Sequence, residues 1–498
     1  MVQINWAETT WLLLPELVLT VGALLVLVLD FLMEDDRSPI LPGLTFVSLG
    51  GAFLLSFAYL GLDRTALFMF EVDNLTAFFR ILATGTSILI LLVSIDYVRS
   101  RSRHTGEFYS LLLWVTLAVI LVAASSDLIL LYLSFELLSI TSYILVGWLR
   151  DEAYSNEAAI KYLLYGAISS AVMLYGMSLL YGAAGSTRLE DIARTFSDPA
   201  VRVGTLDELV LPAVVLMLAG FGFKTSLVPF HQWAPDAYEG APTPVTAFLS
   251  VGSKAAGFAV LTRVLLTALP MFQIDWAAVL AAVSILTMTL GNLVALMQTN
   301  MKRLLAYSSI AQAGYILVGL AAFVATDTST LNGLAGVLLY LVAYLFTNLG
   351  AFIAVIAYEQ ATGSVAIEDY AGMVRRAPWL AAALVVFFLS LAGIPPTAGF
   401  VGKLAVFGAA INAQLYYLAI IGVINSVISV YYYFNVVRQM FFMPPPEGSE
   451  GERVRYPQAM GLALAISLVG TLLIGIYPQP FLDLANLGRQ FLALLPLV

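Results

Sequence analysis

The sequence predicts an all-α membrane protein of about fourteen transmembrane helices. They fall into two inverted five-helix repeats, spans 4–8 and 9–13, with broken helices at spans 7 and 12. Three observations predict it. The chain is 60% hydrophobic and only 11% charged, against about 25% charged residues in soluble domains, so it cannot cover itself with a polar surface. Its apolar residues gather in runs of about 20 or more, long enough to cross a bilayer as helices. Two of those runs are cut by Pro and Gly at positions five spans apart.

In chain order the spans fall near 11–33, 40–61, 75–96, 108–125, 127–148, 157–183, 209–230, 242–268, 275–297, 302–324, 334–358, 379–410, 416–441 and 457–478. Residues 1–10 carry Glu8 and no Lys or Arg, so the first span reads as a retained helix rather than a leader. The longest polar connection, 185–208, is too short to hold a soluble domain, so any function is expected within the membrane part. The chain divides into an N-terminal three-helix region (1–107), two five-helix halves (108–268 and 269–441) and a C-terminal helix (442–498). With the N-terminus outside, the cytoplasmic loops hold twelve basic residues: Arg37, Arg99, Arg101, Arg103, Arg150, Lys302, Arg303, Arg375, Arg376, Arg438, Arg453 and Arg455. The opposite loops and tail hold five, Arg64, Arg188, Arg194, Arg202 and Arg489. The positive-inside rule then places both termini on the extracytoplasmic side.

Span 7 reads Gly220-Phe-Gly-Phe-Lys224-Thr-Ser-Leu-Val-Pro229-Phe-His231, and span 12 reads Gly393-Ile-Pro395-Pro396-Thr-Ala-Gly399-Phe-Val-Gly402-Lys403. Proline removes a helix donor and clashes with the preceding turn. Such breaks persist in a membrane only where protein or water satisfies the freed backbone groups. Each broken span is the fourth helix of its five-helix unit. An odd-helix repeat must be inverted in the membrane, and matched broken helices point to an ion path.

The charges divide by chemistry. Eighteen arginines sit mostly in loops or at span ends, whereas among the five lysines Lys224, Lys254 and Lys403 fall inside apolar spans. Lys161 falls near the start of a span, and Lys302 at an end, where snorkelling to the headgroups is the simple expectation. Arginine holds its proton at any usable pH, while a buried lysine can release and retake one. A mid-membrane lysine costs about 2.5–3.5 kcal/mol on insertion scales, which calls for a compensating use. Glu136, near the middle of span 5, needs a partner or a proton, and a lysine from another helix is the natural partner. His231 follows Pro229 and could pass protons between Lys224 and Lys254, or equally could be a capped interfacial side chain. Asp30, Asp96 and Asp127 lie at span ends and read as interfacial, Glu16 has no evident role, and the Tyr431–Tyr433 run reads as packing or interface anchoring.

The chain has no cysteine and two histidines, His104 and His231. Disulfides, thiolate zinc sites and Cys-ligated iron–sulfur clusters are therefore excluded within it, and no cofactor or metal site is expected. The basic residues are not clustered, so nucleic acid is not an expected partner; the lipid bilayer is.

These residues resemble the antiporter-like membrane subunits of respiratory complex I. The resemblance rests on Ser134-Phe-Glu136-Leu-Leu-Ser; the stretch Phe223-Lys224-Thr-Ser-Leu-Val-Pro-Phe-His231 through Pro242-Thr-Pro-Val245; Ser253-Lys254; Asn300-Met-Lys302 through Gln312-Ala-Gly-Tyr315; and Gly393 through Lys403. Within that family it looks most like subunit N of NADH–quinone oxidoreductase and its cyanobacterial and chloroplast relatives, because the chain ends soon after span 14 and span 12 carries Lys403 rather than a glutamate. The resemblance implies a proton-translocating, non-redox subunit of a NADH- or ferredoxin-dependent quinone oxidoreductase. Flavin and iron–sulfur clusters would lie in other membrane and peripheral subunits, and quinone would be met only indirectly. It implies Glu136 and Lys224 as a buried ion pair, Lys254 as central relay and Lys403 as the lysine of the other half-channel, with Lys161 matching a lysine of subunit N-like chains. The membrane would be a bacterial plasma membrane or a thylakoid. The alternative is a subunit of a multi-subunit sodium–proton antiporter, and a third reading is a membrane scaffold that transports nothing.

Overall fold

The structure is a computed structural model that describes residues 5–33, 39–198, 207–324, 332–446 and 453–490. Among the described residues twelve helices are long and apolar enough to cross a membrane, and three shorter apolar helices accompany them. In chain order these are α1 (Leu14–Leu32), α2 (Ile40–Phe57), α3 (Asn74–Arg101), α4 (Thr105–Ala124), α5 (Leu128–Val146), α6 (Ala153–Ala184), α7 (Val210–Thr225), α8 (Thr243–Ala268), α9 (Gln273–Ala295), α10 (Met301–Ala321), α11 (Gly333–Thr362), α12 (Pro378–Ala392), α13 (Ala398–Asn412), α14 (Tyr416–Phe442) and α15 (Gln458–Ile476). The expected breaks are where the short helices lie: α7 stops at Thr225, and α12 and α13 are separated by residues 393–397. Arg37 and Arg202, counted in the orientation, lie outside the described residues.

Several features were not legible in the apolar runs. A short hairpin pairs Arg64–Ala66 with Phe70–Val72 between α2 and α3. Helix Leu189–Ser197 occupies the longest polar connection, and helix Gln479–Gly488 follows α15. Asp127, expected at an interface, is buried as the N-cap of α5, accepting from the Ile129 amide at 2.8 Å and the Thr187 hydroxyl at 2.6 Å.

Burial separates a centre from a rim. The apolar window of α8 is wholly buried, and those of α10 and α11 are 94% and 89% buried, against 33% for α1, α6 and α14. The last three therefore lie at the rim of the bundle, and α8, α10 and α11 form its interior. Small residues let the central helices close up, since a Cβ on Gly314 of α10 would sit 2.6 Å from the Met288 amide nitrogen of α9. Around the second break the fit is tighter. A Cβ on Gly399 would meet the Ser390 carbonyl oxygen at 1.8 Å. Gly399→Ala is therefore expected to cost near the top of the range of about 1–3 kcal/mol seen for overpacking, read as a lower midpoint in thermal unfolding of the purified assembly.

Two arginines lie inside the bundle as fixed charges. Arg80 of α3 meets Glu16 of α1 at 2.7 and 2.9 Å, which supplies the role that Glu16 lacked in the sequence. Arg263 of α8 meets both carboxylate oxygens of Asp73, the N-cap of α3, and donates to the Ala123 carbonyl at 3.1 Å. All four side chains are buried. The pairs tie α3 to α1 and to α8 across 64 and 190 positions of sequence.

Candidate functional site

The site is built on the two helix breaks. A helix ends with carbonyls that have no partner within it, and in the membrane each must find one. At the first break Ser226 adopts a left-handed conformation (φ 60°), and the Leu227 amide returns to the Gly222 carbonyl at 2.7 Å. The Phe223 carbonyl is taken by the indole N–H of Trp233 at 2.9 Å, and the Thr225 carbonyl by Nζ of Lys254 at 3.1 Å. The second break is closed in the same manner. Gly393 turns left-handed (φ 86°), and Nζ of Lys403 donates to the Leu391 and Ala392 carbonyls, both at 3.0 Å. Both lysines are buried, with 1% and 4% of their surface exposed.

Lys254 begins where the π-helical turn Leu249–Ser253 ends, and it also donates to the Ser309 carbonyl at 2.9 Å. A π turn inside a helix is a recurrent feature of functional sites. Each lysine thus has two carbonyl acceptors. A neutral amine has two N–H donors and one lone pair, so both donors are satisfied and the lone pair stays free to take a proton. The resulting ammonium gains a third donor.

α10 runs between the two lysines. Ser309 accepts from Lys254 through its carbonyl and from the Tyr344 hydroxyl through Oγ at 2.8 Å. One turn on, Gln312 donates to the Leu391 carbonyl at 2.9 Å, the same oxygen that Lys403 uses, and accepts from the Tyr340 hydroxyl. The ammonium of Lys403 lies 4.5 Å from the centre of the Tyr315 ring on the same helix. Tyr315, Tyr432 and Asn292 share hydrogen bonds of 2.8 and 3.1 Å beyond it. Tyr432 and Tyr433 are buried and hydrogen-bonded, and Tyr431 is exposed, so the tyrosine run divides between packing and the outer face.

Lys224 is fully buried and donates to the Tyr162 hydroxyl at 3.0 Å. The rings of Phe135, Tyr143, Tyr162 and Phe223 stand 5.1–5.7 Å from its nitrogen, within cation–π range. The direct contact expected between Glu136 and Lys224 is not made: no ion pair of 4.0 Å or less joins them. Each turns to α6 instead, Glu136 accepting from the Ser170 hydroxyl and Lys224 donating to Tyr162, two turns apart on that helix.

The remaining candidates lie elsewhere. Lys161 is partly exposed and pairs with Glu157 at 2.7 Å and Asp236 at 2.8 Å. Arg303 continues that network to Asp236 and Glu239 at 2.8 and 2.7 Å, so Lys161 belongs to an ion cluster at the edge of the bundle and not to the buried line. His231 is half-buried, its Nδ1 has no partner among the described residues, and it hydrogen-bonds to neither Lys224 nor Lys254. Lys302 corrects an expectation. It does not reach the headgroups but is 5% exposed and donates inward to the Ala241 carbonyl at 2.7 Å. The sequence reading missed Glu359, buried near the end of α11, which accepts from Thr243 at 2.5 Å and Arg101 at 3.0 Å. Its signal was present, a carboxylate closing an otherwise apolar run.

Known proteins resemble this chain over most of its length. Residues 125–429 match the family described as NADH:quinone oxidoreductase/Mrp antiporter, TM. NADH-quinone oxidoreductase subunit N of Trichlorobacter lovleyi is 42% identical over 95% of this chain and 96% of its own length. NAD(P)H-quinone oxidoreductase subunit 2 of Gloeobacter violaceus is 43% identical over 96% and 92%. A chain in the structure of respiratory complex I from Thermus thermophilus with bound aureothin superposes with a TM-score of 0.78 at 32% identity, covering 94% of this chain and 98% of that one. The protein therefore belongs to the NADH:quinone oxidoreductase/Mrp antiporter family of membrane subunits, and within it stands with the subunit N group.

Proposed function

We propose that this chain is the subunit of a complex I-type quinone oxidoreductase that moves protons through Lys224, Lys254 and Lys403, driven by redox chemistry in partner subunits. The observation that carries the proposal is the repeated device of a buried lysine set against the free carbonyls of a broken helix, with α10 joining the two copies. A fixed structural cation would be better made from arginine, as it is at Arg80 and Arg263; the lysines stand where a proton must come and go. Glu136 bears on Lys224 across α6 as a charge at a distance, and Lys161 and His231 act at the margin of the path. Flavin and iron–sulfur clusters belong to the partner subunits, since this chain has no cysteine to hold a cluster. The stretches 108–268 and 269–441 are the two half-channels, related by inversion. The membrane is a bacterial plasma membrane or a thylakoid, with the arginine-bearing ends of α3 and α5 on the cytoplasmic side and both termini opposite.

The family description also embraces Mrp antiporters, so the driving force is the point to test. In inverted membrane vesicles the assembly is expected to acidify the lumen when NADH or reduced ferredoxin is supplied, with or without sodium. Lys224→Ala is expected to remove most of this chain's share. Acidification that needs sodium and ignores the electron donor would replace this reading with the antiporter one, and undiminished pumping in Lys224→Ala would remove Lys224 from the path.

A further inference from the structure

We propose that Glu359 is a proton-collecting carboxylate at the mouth of a polar file that runs along α8 to Lys254; the proposal rests on the proton-translocating reading above. The mouth lies at the arginine-bearing end of the bundle. There a cavity of about 700 Å³ is bounded by residues 99–104 and 148–152 and reaches Arg101. Arg101 is partly exposed and holds Glu359 at 3.0 Å, so the arginine stands between the solvent-facing cavity and the buried carboxylate. Glu359 also accepts from the Tyr97 hydroxyl at 3.3 Å and from the Thr243 hydroxyl at 2.5 Å. Lys302 lies beside this cluster, on the Ala241 carbonyl.

Thr243 opens α8, and from it the polar residues Thr246, Ser250, Ser253 and Lys254 follow at steps of three, four, three and one, with Ser250 and Ser253 in the π turn and Lys254 directly after it. At 1.5 Å per residue the stripe covers about 16 Å. An apolar helix buried on every side has no need of such a stripe. A second rung ties it to α11: Asn348, three turns before Glu359, donates to the Ser250 hydroxyl at 2.7 Å. Along the file three buried polar atoms have no protein partner among the described residues, namely Oγ of Ser253, Oδ1 of Asn348 and the hydroxyl of Tyr238. Buried groups of this kind are commonly completed by ordered water, and here they would space water between the side-chain hydroxyls. The file ends on Lys254, whose two acceptor carbonyls leave the lone pair of the neutral amine free.

The step balances without any further reagent. The Glu359 carboxylate takes a proton from hydronium in the cavity, which becomes water, and Glu359 becomes a carboxylic acid. The hydroxyls and intervening water pass a proton on to the neutral amine of Lys254, which becomes the ammonium, and Glu359 returns to the carboxylate.

The test uses the whole complex in proteoliposomes, with proton uptake, electron transfer and the amount of assembled complex measured together for Glu359→Gln, Glu359→Asp, Ser250→Ala and Lys254→Arg. Glu359→Gln keeps an acceptor for Thr243 but cannot exchange a proton. It is expected to slow proton uptake through this chain about a hundredfold at native levels of assembly, and Glu359→Asp is expected to restore most of it. Native pumping in Glu359→Gln with loss in Lys254→Arg would overturn the role of Glu359 and leave the functional reading standing. Native pumping in both would overturn both. Equal loss in Glu359→Gln and Glu359→Asp would make Glu359 a clamp between α3 and α11 and overturn the proposal. Should Glu359→Gln fail to assemble, Ser250→Ala decides. It breaks the file without touching the Arg101–Glu359 pair, and native pumping there would overturn the proposal.

Discussion

Lys403→Arg is expected to stop proton transfer through this chain as completely as Lys403→Ala, a loss of about a hundredfold where a group acts directly in proton transfer. The comparison works because arginine keeps the positive charge and the N–H donors and removes the exchangeable proton. It is cationic, and its N–H groups can still meet the Leu391 and Ala392 carbonyls that Lys403 now caps. If those carbonyls needed only a donor, arginine would serve. Arginine does not give up its proton at any pH the complex meets, whereas a buried lysine does. Proton flux in vesicles at equal amounts of assembled complex is the readout. A structural cap predicts that arginine rescues and alanine does not; a relay predicts that neither works.

Arg263→Ala is expected to destabilise the assembled protein by about 3–5 kcal/mol, because removing one member of a buried pair leaves the other charge uncompensated. Arg263 satisfies the Asp73 carboxylate, the Ala123 carbonyl and the Thr76 hydroxyl, and Asp73 in turn caps α3 through the Thr76 amide at 2.8 Å. Truncation therefore frays the start of α3 as well as the contact of α3 with α8. The double variant Asp73→Asn with Arg263→Met is expected to lose less than either single change, since no charge is then left buried alone. Thermal unfolding of the purified assembly reports both. Equal midpoints for native protein and Arg263→Ala would show that the pair contributes nothing to stability.

The legible part of this protein was the part encoded locally. The apolar runs mark the spans because the bilayer fixes how long each must be. Pro229, Pro395 and Pro396 mark the breaks because proline cannot continue a helix. Lys254 and Lys403 stand out because a cation inside an apolar run has no local explanation. Their partners could not be read, since they are carbonyls of the broken helices and side chains of α10, brought close only by the fold. The same holds for Arg80 with Glu16, Arg263 with Asp73 and Arg101 with Glu359, separated by 64, 190 and 258 positions. Arg263 itself was open to notice, lying inside the predicted span 242–268 as the lysines lie in theirs. Lys302 shows the limit of position as a guide. It lies in the first turn of α10 at a span end, yet it is buried and turned inward onto the Ala241 carbonyl. Glu136 and Lys224 show another limit, for two opposite charges on spans 5 and 7 suggest a contact, yet each is taken up by a side chain of α6, the span between them.

The most direct test of the central claim is the number of protons moved per electron, measured in proteoliposomes that hold the whole complex, for the native chain and for Lys254→Arg. Lys254 is where the first half meets α10, with its nitrogen between the Thr225 and Ser309 carbonyls. If protons cross there, the arginine variant keeps the charge and loses the path, and the ratio falls below the native value at equal assembly. A native ratio with native electron transfer in Lys254→Arg would mean that no proton is carried by that nitrogen, and the line from Lys224 through Lys254 to Lys403 would have to be abandoned.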